Sequence, residues 1–397
     1  MKKIFWPTKK LGNKNYFEIL GSGIDEFDGE KEYLSTSSID KNKIVAIEEV
    51  IIYQKRPSRA NMQPRLNSVW FAKMKNTVKI YSFSEENKNE ITKYILSTGF
   101  AGILCNVKEV YSKYLEKMFL SKWFNDLKDK STHGSTQQAI NNQEIKDFEI
   151  PLPSLPEQKK IVYVLDAIQE TIKVQEKIIE KTKEIKRSLL NEIFNAKTKN
   201  KKSKLQFKIK KWVKLKEMAD IIMGQSPSSK FYNIVENGLP FLQGKAEFRE
   251  TSPQPLKWCS QPIKITEKGD VLISVRAPVG DTNLADQSYC IGRGLAAIRS
   301  KPNLDNFYLF NYLQRVKEQI SNLGSGSTFK SINKETLENF EIPFLSLSEQ
   351  CEIAEILQTV DQKIEIEQKK KMLYEELFKT MLKKLMNREI RTDNLKI

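Results

Sequence analysis

Two sets of long cationic and amide side chains stand in this sequence beside residues that favour turns. The first is Arg56, Arg59, Asn61, Gln63, Arg65, Lys73 and Lys75; the second is Gln225, Ser226, Gln243, Lys245, Arg249, Arg276 and Arg293. Arginine and lysine donate to guanine O6 and N7, and asparagine or glutamine pairs with adenine N6 and N7. The chemistry open to such residues is the reading of base edges, although most basic side chains on such a protein touch only phosphate or water. Two triplets, Gly134-Ser135-Thr136 and Gly326-Ser327-Thr328, offer amides and hydroxyls suited to a phosphate, or turns that support a strand.

Catalytic chemistry finds little to work with. The single histidine, His133, lies in a polar loop with no G-x-S-x-G nucleophile motif nearby. One histidine excludes zinc-hydrolase spacing. Cys105, Cys259, Cys290 and Cys351 show no C-x-x-C pairing, so reduced, partly buried thiols are expected. Gly238 to Lys245 imitates a phosphate loop, but has five residues between its glycines and Ala246 where Ser or Thr would hold magnesium. Gly21-Ser22-Gly23 and Gly292-Arg293-Gly294 lack the third glycine of a dinucleotide fingerprint. No methyltransferase or nuclease signature is present. Together these gaps favour a binding protein that holds neither cofactor nor metal. The 397 residues carry 66 Lys plus Arg against 50 Asp plus Glu, a net +16 that attracts polyanions, nucleic acid first. A lysine-rich coding background gives the same balance. No apolar run approaches the roughly 18 residues of a membrane span, and the start lacks a signal peptide's apolar stretch, so a cytoplasmic location is expected.

An internal repeat positions the candidates. Gly134–Ile172 aligns beneath Gly326–Ile364 at a constant offset of 192, without a gap, and 16 of 39 positions are identical. The shared residues include the Gly-Ser-Thr triplets, Ile140/Ile332, Asn141/Asn333, Phe148–Pro151 with Phe340–Pro343, and Glu157-Gln158 with Glu349-Gln350. The chain is a duplicated half. Phe-Glu-Ile-Pro reads as a short strand ending at a helix start. Ser154-x-x-Glu157 and Ser346-x-x-Glu349 fit the capping box.

A long helix follows each box. Leu165, Ile168, Ile172, Gln175, Ile179, Thr182, Lys186, Leu189 and Ile193 step by three and four in the first. Leu357, Val360, Ile364, Glu367, Lys371, Tyr374, Phe378, Met381 and Leu385 do so in the second. This is a coiled-coil seam with a polar middle, which can fix register. Helices of about 40 residues measure roughly 60 Å. A narrow seam with charged flanks favours mutual antiparallel pairing over packing of each helix on its own half, and the repeat implies pseudo-twofold symmetry.

The globular halves read as α+β. Gly29–Leu34 and Gly238–Leu242 look like equivalent strands, as do Gly99–Leu104 and Gly294–Arg299; Val110–Leu120 and Leu304–Leu313 read as short helices. The segment Lys197–Lys216 carries ten lysines and no acid, suited to phosphate contact or to solvation.

The layout closely resembles the specificity subunit of type I restriction-modification systems over nearly the whole chain. The resemblance rests on G-S-T-x-x-x-I-N, the segments 148–161 and 340–353, Gly269–Arg276 and Ile291–Gly294. Ser348 stands where that family usually carries proline. The resemblance implies two target recognition domains, each a mixed sheet with short helices, at residues 1–153 and 197–345, the latter with its basic linker. Long helices at 154–196 and 346–397 would form an antiparallel coiled coil holding the domains apart. It implies that each domain reads half of a bipartite asymmetric site in double-stranded DNA. Two methyltransferase subunits with S-adenosylmethionine, and restriction subunits with ATP and magnesium, would be the partners, so this chain would itself catalyse nothing. A rod of roughly 60 Å spans somewhat under two turns of B-DNA at about 34 Å per turn. A type IIB-like specificity chain, a non-specific nucleic-acid-binding coiled-coil scaffold and an unrecognised nuclease are the alternatives.

Overall fold

The computed structural model of the chain describes residues 6–132, 138–194, 207, 209, 211–324, 331–390 and 392. His133, both Gly-Ser-Thr triplets and most of the lysine-rich segment lie outside the described residues.

The chain forms two compact units. One comprises residues 1–176 and 370–397, the other 177–369. Both boundaries fall inside the long helices, which run without a break over Leu155–Phe194 and Leu347–Met386.

In the first unit, an antiparallel sheet has the strand order Phe17–Leu20, Phe100–Cys105, Ser68–Ala72, Ile80–Phe83. A mixed sheet has the order Glu49–Ile51, Lys31–Leu34, Tyr94–Ser97, Ala60–Met62, with Lys31–Leu34 and Tyr94–Ser97 parallel. The second unit repeats the antiparallel sheet and the parallel strand pair, but sets that pair at one end of its mixed sheet rather than in the middle. Its antiparallel sheet runs Ala219–Met223, Leu295–Ser300, Val271–Ser274, Thr282–Leu284. Its mixed sheet runs Tyr232–Asn233, Lys257–Cys259, Leu239–Leu242, Cys290–Ile291, the last two parallel. Both strand equivalences expected from the sequence hold. The expected short helices are Ser112–Leu120 and Asn306–Arg315, beginning slightly later than the sequence suggests.

The Phe-Glu-Ile-Pro segments form short strands, paired antiparallel with Thr8–Lys10 and with Lys211–Lys214. The end of the lysine-rich segment is therefore structured. Val213 enters the core, while the Lys211 ammonium lies 5.0 Å from the centre of the Phe344 ring.

The repeated identities share one structural task. Gln158 and Gln350 are buried at the helix starts, with both faces of the amide used. Gln158 Oε1 accepts the Tyr111 amide at 2.8 Å, and Nε2 donates to the Glu109 and Pro153 carbonyls at 2.9 Å each. Gln350 accepts the Asp305 amide at 2.9 Å and donates to Asn303 and Leu345 at 3.1 and 3.0 Å. The Tyr114 hydroxyl donates to the Pro151 carbonyl, and the Tyr308 hydroxyl to that of Pro343, at 2.9 Å each. Asn141 and Asn333 cap the short helices that precede the Phe-Glu-Ile-Pro strands. Ser346 and Glu349 form the expected capping box; in the first helix Glu157 accepts the Thr392 hydroxyl. Asp270 and Gly269 in the Gly269–Arg276 motif are also architectural. The Asp270 carboxylate holds Arg299 through two bonds of 3.0 and 2.9 Å, and Gly269 adopts φ +94°, open to glycine at little cost.

The long helices pair antiparallel within each unit. In the first, Ile161, Val162 and Leu165 from one helix share a core with Leu382, Leu385 and Met386 from the other. In the second, Ile353 and Leu357 share a core with Leu190, Ile193 and Phe194. All the expected seam positions are buried or half-buried. Each helix start also packs on its own half, so the two packing modes coexist. A fully buried aliphatic side chain contributes about 1.5–3 kcal/mol over exposure, enough for several together to anchor each end.

Candidate nucleic-acid interface

The second unit gathers five of its seven sequence candidates at one edge, where strand ends of its two sheets meet. The strands Ala219–Met223, Leu239–Leu242 and Cys290–Ile291 all end there. The Gln225 amide donates to the Ile291 carbonyl at 3.0 Å, and the Arg293 amide to Ser226 Oγ at 3.1 Å. Val275, just before Arg276, donates its amide to the Gly294 carbonyl at 2.9 Å. Gln225, Gln243, Arg276 and Arg293 have exposed side chains; Ser226 is half-buried.

Close backbone approach explains the glycines. A Cβ on Gly294 would lie 2.6 Å from the Gln243 carbonyl oxygen, and one on Gly224 would lie 2.2 Å from that of Gly292. Only glycine lets these turns nest, and the nesting presents Arg293 to solvent. The Arg293 guanidinium also acts on Tyr232: burial pushes that phenol up, and the guanidinium pulls it partly back.

Lys245 and Arg249 are differently occupied. Lys245 Nζ lies 2.9 Å from Asp281, which also pairs with Lys317. Burial alone would raise the Asp281 carboxyl, but the two lysines outweigh it and hold it below its ordinary value. Arg249 donates to the Ala246 and Phe248 carbonyls and to Gln254, all within its own loop.

The first unit builds the equivalent edge from other residues. The Thr98 amide donates to the Arg59 carbonyl at 2.9 Å, the Gly23 amide to the Asn61 carbonyl at 2.8 Å, and the Lys73 amide to the Gly99 carbonyl at 3.0 Å. Arg59, Asn61 and Lys73 thus converge around the Thr98-Gly99 turn. Burial holds the Lys73 ammonium below its ordinary pKa. The remaining candidates disperse. Arg65 lies at the opposite end of the antiparallel sheet, 3.8 Å from Glu18. Arg56 folds onto Tyr53, 4.0 Å from its ring centre, and bonds that residue's carbonyl. Gln63 keeps its amide oxygen buried without a partner among the described residues. Lys75 is exposed on the loop beyond Lys73.

Thr98, absent from the sequence candidates, occupies the place of Arg293, and the strand registers set Gly23 where Gln225 stands. The signal was the alignment of Gly99 with Gly294, since Thr98 precedes one and Arg293 the other. The Thr98 hydroxyl can donate to or accept from a base edge.

Cys105, Cys259 and Cys290 are buried free thiols and Cys351 is half-buried. Among the described residues, no group of three or more His, Cys, Asp or Glu is placed to hold a metal ion. None of the helices described is long and apolar enough to cross a membrane.

The sequence matches the type I restriction modification DNA specificity domain over residues 6–187 and again over 209–373. It is 33% identical over 414 residues to the inferred specificity subunit of type I restriction enzyme MjaX from Methanocaldococcus jannaschii, covering 97% of this chain and 94% of that protein. The MjaVIII specificity subunit of the same organism is 27% identical over 308 residues, 72% of this chain and 70% of the relative. A solved chain, described under the assembly and conformational transition of a type I restriction-modification system, has a TM-score of 0.68 at 31% identity. That match covers 98% of this chain and 99% of the other. The S subunit of a type I system from M. genitalium shares the fold, with a TM-score of 0.59 at 16% identity over 97% of each chain. The chain belongs to the DNA specificity family of type I restriction-modification systems and carries that family's domain twice.

Proposed function

We propose that each unit reads one half of a bipartite, asymmetric site in double-stranded DNA, the first through Arg59, Asn61, Lys73 and Thr98, the second through Gln225, Ser226, Gln243, Arg276 and Arg293. The observation that carries this reading is the repetition of one edge geometry with different side chains. Equivalent edges hold a reader in the same pose, and different donors on them specify different bases. Lys245, Arg249, Arg56, Arg65 and Lys75 fit phosphate or structural contacts better, and Gln63 faces inward. Gly326, Ser327 and Thr328 remain candidates for a phosphate contact.

The chain acts as the specificity subunit and leaves chemistry to its partners. Two modification subunits using S-adenosylmethionine would methylate adenine at the site. Restriction subunits using ATP and magnesium would translocate and cut. Coexpression with a modification subunit, followed by mapping of methylated adenines, tests this reading. The expected result is methylation at two short motifs a fixed distance apart. Methylation without a shared motif would overturn it.

A further inference from the structure

In each unit, the strand that ends at the reading edge continues into a short strap that lands on the long helices. In the first, Lys31–Leu34 passes through Ser35 into the 3-10 turn Thr36–Ser38 and the hairpin Ile39–Asp40 with Lys43–Ile44. Lys43 Nζ lies 3.3 Å from Glu176 Oε2 on the first long helix. Lys371 Nζ on the second lies 3.1 Å from Glu176 Oε1. Burial would raise the Glu176 carboxyl, but the two ammonium groups outweigh it and hold it below its ordinary value. The neighbouring Asn42 fixes the hairpin by donating to buried Glu116 at 2.9 Å.

In the second unit, Leu239–Leu242 passes through Gln243 and Gly244 into the 3-10 turn Lys245–Glu247 and on to Glu250. Glu250 Oε1 accepts from Gln368 Nε2 on the second long helix at 2.7 Å, and lies 3.7 Å from Lys183 Nζ on the first. The sign is reversed, a strap lysine on a helix carboxylate in one unit and a strap glutamate on a helix lysine in the other. The topological step is the same, from reading edge through a 3-10 turn to the helix pair; the first strap meets a Glu176 that also bonds Lys371 of the other helix, and the second meets both helices directly. The recurrence of a strap-to-helix contact after the same 3-10 turn, with unrelated residues and opposite charge, is what singles the straps out.

Exposed pairs of this kind are weak, so the hydrophobic cores, not the straps, hold the units folded. A weak contact on a folded scaffold is suited to setting orientation. We propose that the straps fix the pose of each reading edge on the helix pair, which makes Lys43, Glu176, Lys183, Glu250 and Gln368 positioning residues remote from DNA. This rests on the base-reading role proposed above.

The test uses the full chain and duplexes bearing both half-sites, either at the cognate gap or with the gap changed by one base pair. Glu250→Lys is expected to lower the preference for the cognate gap by roughly two- to five-fold, the scale of an exposed ion pair, while base preference within each half-site stays unchanged. Lys183→Glu should act alike, and the combined exchange, which restores the pair, should recover the preference. Glu250→Gln, which keeps the shape and removes the charge, should move in the same direction. Unchanged gap preference in the single variants, or a combined variant no better than either, would overturn the strap alone. A wild-type chain that prefers no sequence would overturn base reading and the strap with it.

Discussion

Gln158 and Gln350 show how far a repeated residue can be understood from its type. Their identity in both copies is plain in the sequence; the three hydrogen bonds each makes are not, because the partners lie 47 to 49 residues upstream in the case of Tyr111 and Glu109. Replacing a fully bonded buried amide strands several backbone groups. Gln158→Leu and Gln350→Leu are each expected to cost on the order of 3 kcal/mol, read as a lowered unfolding midpoint in denaturant. The reading residues behave differently, because they are exposed and cost little to change. Arg293→Ala should weaken binding by roughly 1–3 kcal/mol and relax one position of the second half-site, provided that it contacts a base. Competition binding against duplexes varied at each position checks this, and an equal loss for every sequence would make Arg293 a phosphate contact. Arg249 and Arg56 look equivalent to Arg293 by residue type, yet fold back onto nearby carbonyls. Local sequence does not reveal which arginine stays free.

At the scale of elements, the long helices were the most legible part. A 3-4 step sustained over 40 residues leaves one narrow apolar seam, and such a seam must find a partner. The sequence also exposed the equivalence of Gly99 with Gly294. It did not expose the edges, because those arise where strands far apart in the chain end together. The straps escaped notice for the same reason: Lys43 and Glu250 share neither sequence context nor charge. The polar middle of the seam, expected only to fix register, includes Lys371, which bonds the carboxylate on which the first strap lands. If helix length carries the spacing between half-sites, inserting seven residues after Glu176 and seven after Lys369 adds roughly 10 Å of helix. The expected outcome is a gap longer by about three base pairs, at about 34 Å per 10-base-pair turn, with both half-sites unchanged. Methylation mapping in coexpressing cells reads this directly.

At the scale of the whole molecule, one domain plan occurs twice with different side chains at its edges. The duplication was legible because the scaffold residues stayed fixed. The bodies are less alike, which is the pattern expected if scaffold and readers answer to different constraints. Independent readers should also be separable. Exchanging residues 1–153 for those of a relative is expected to change one half-site and leave the other half-site and the gap intact. A change in both halves would mean that the units read DNA jointly.

The most direct measurement is a binding selection in which the full chain, assembled with its modification subunits, enriches duplexes from a random pool. Two short motifs of unlike sequence, separated by an unread stretch of constant length, are the expected product. Enrichment of a single continuous motif, or retention governed only by salt with no motif at all, would contradict a chain built as two separate readers.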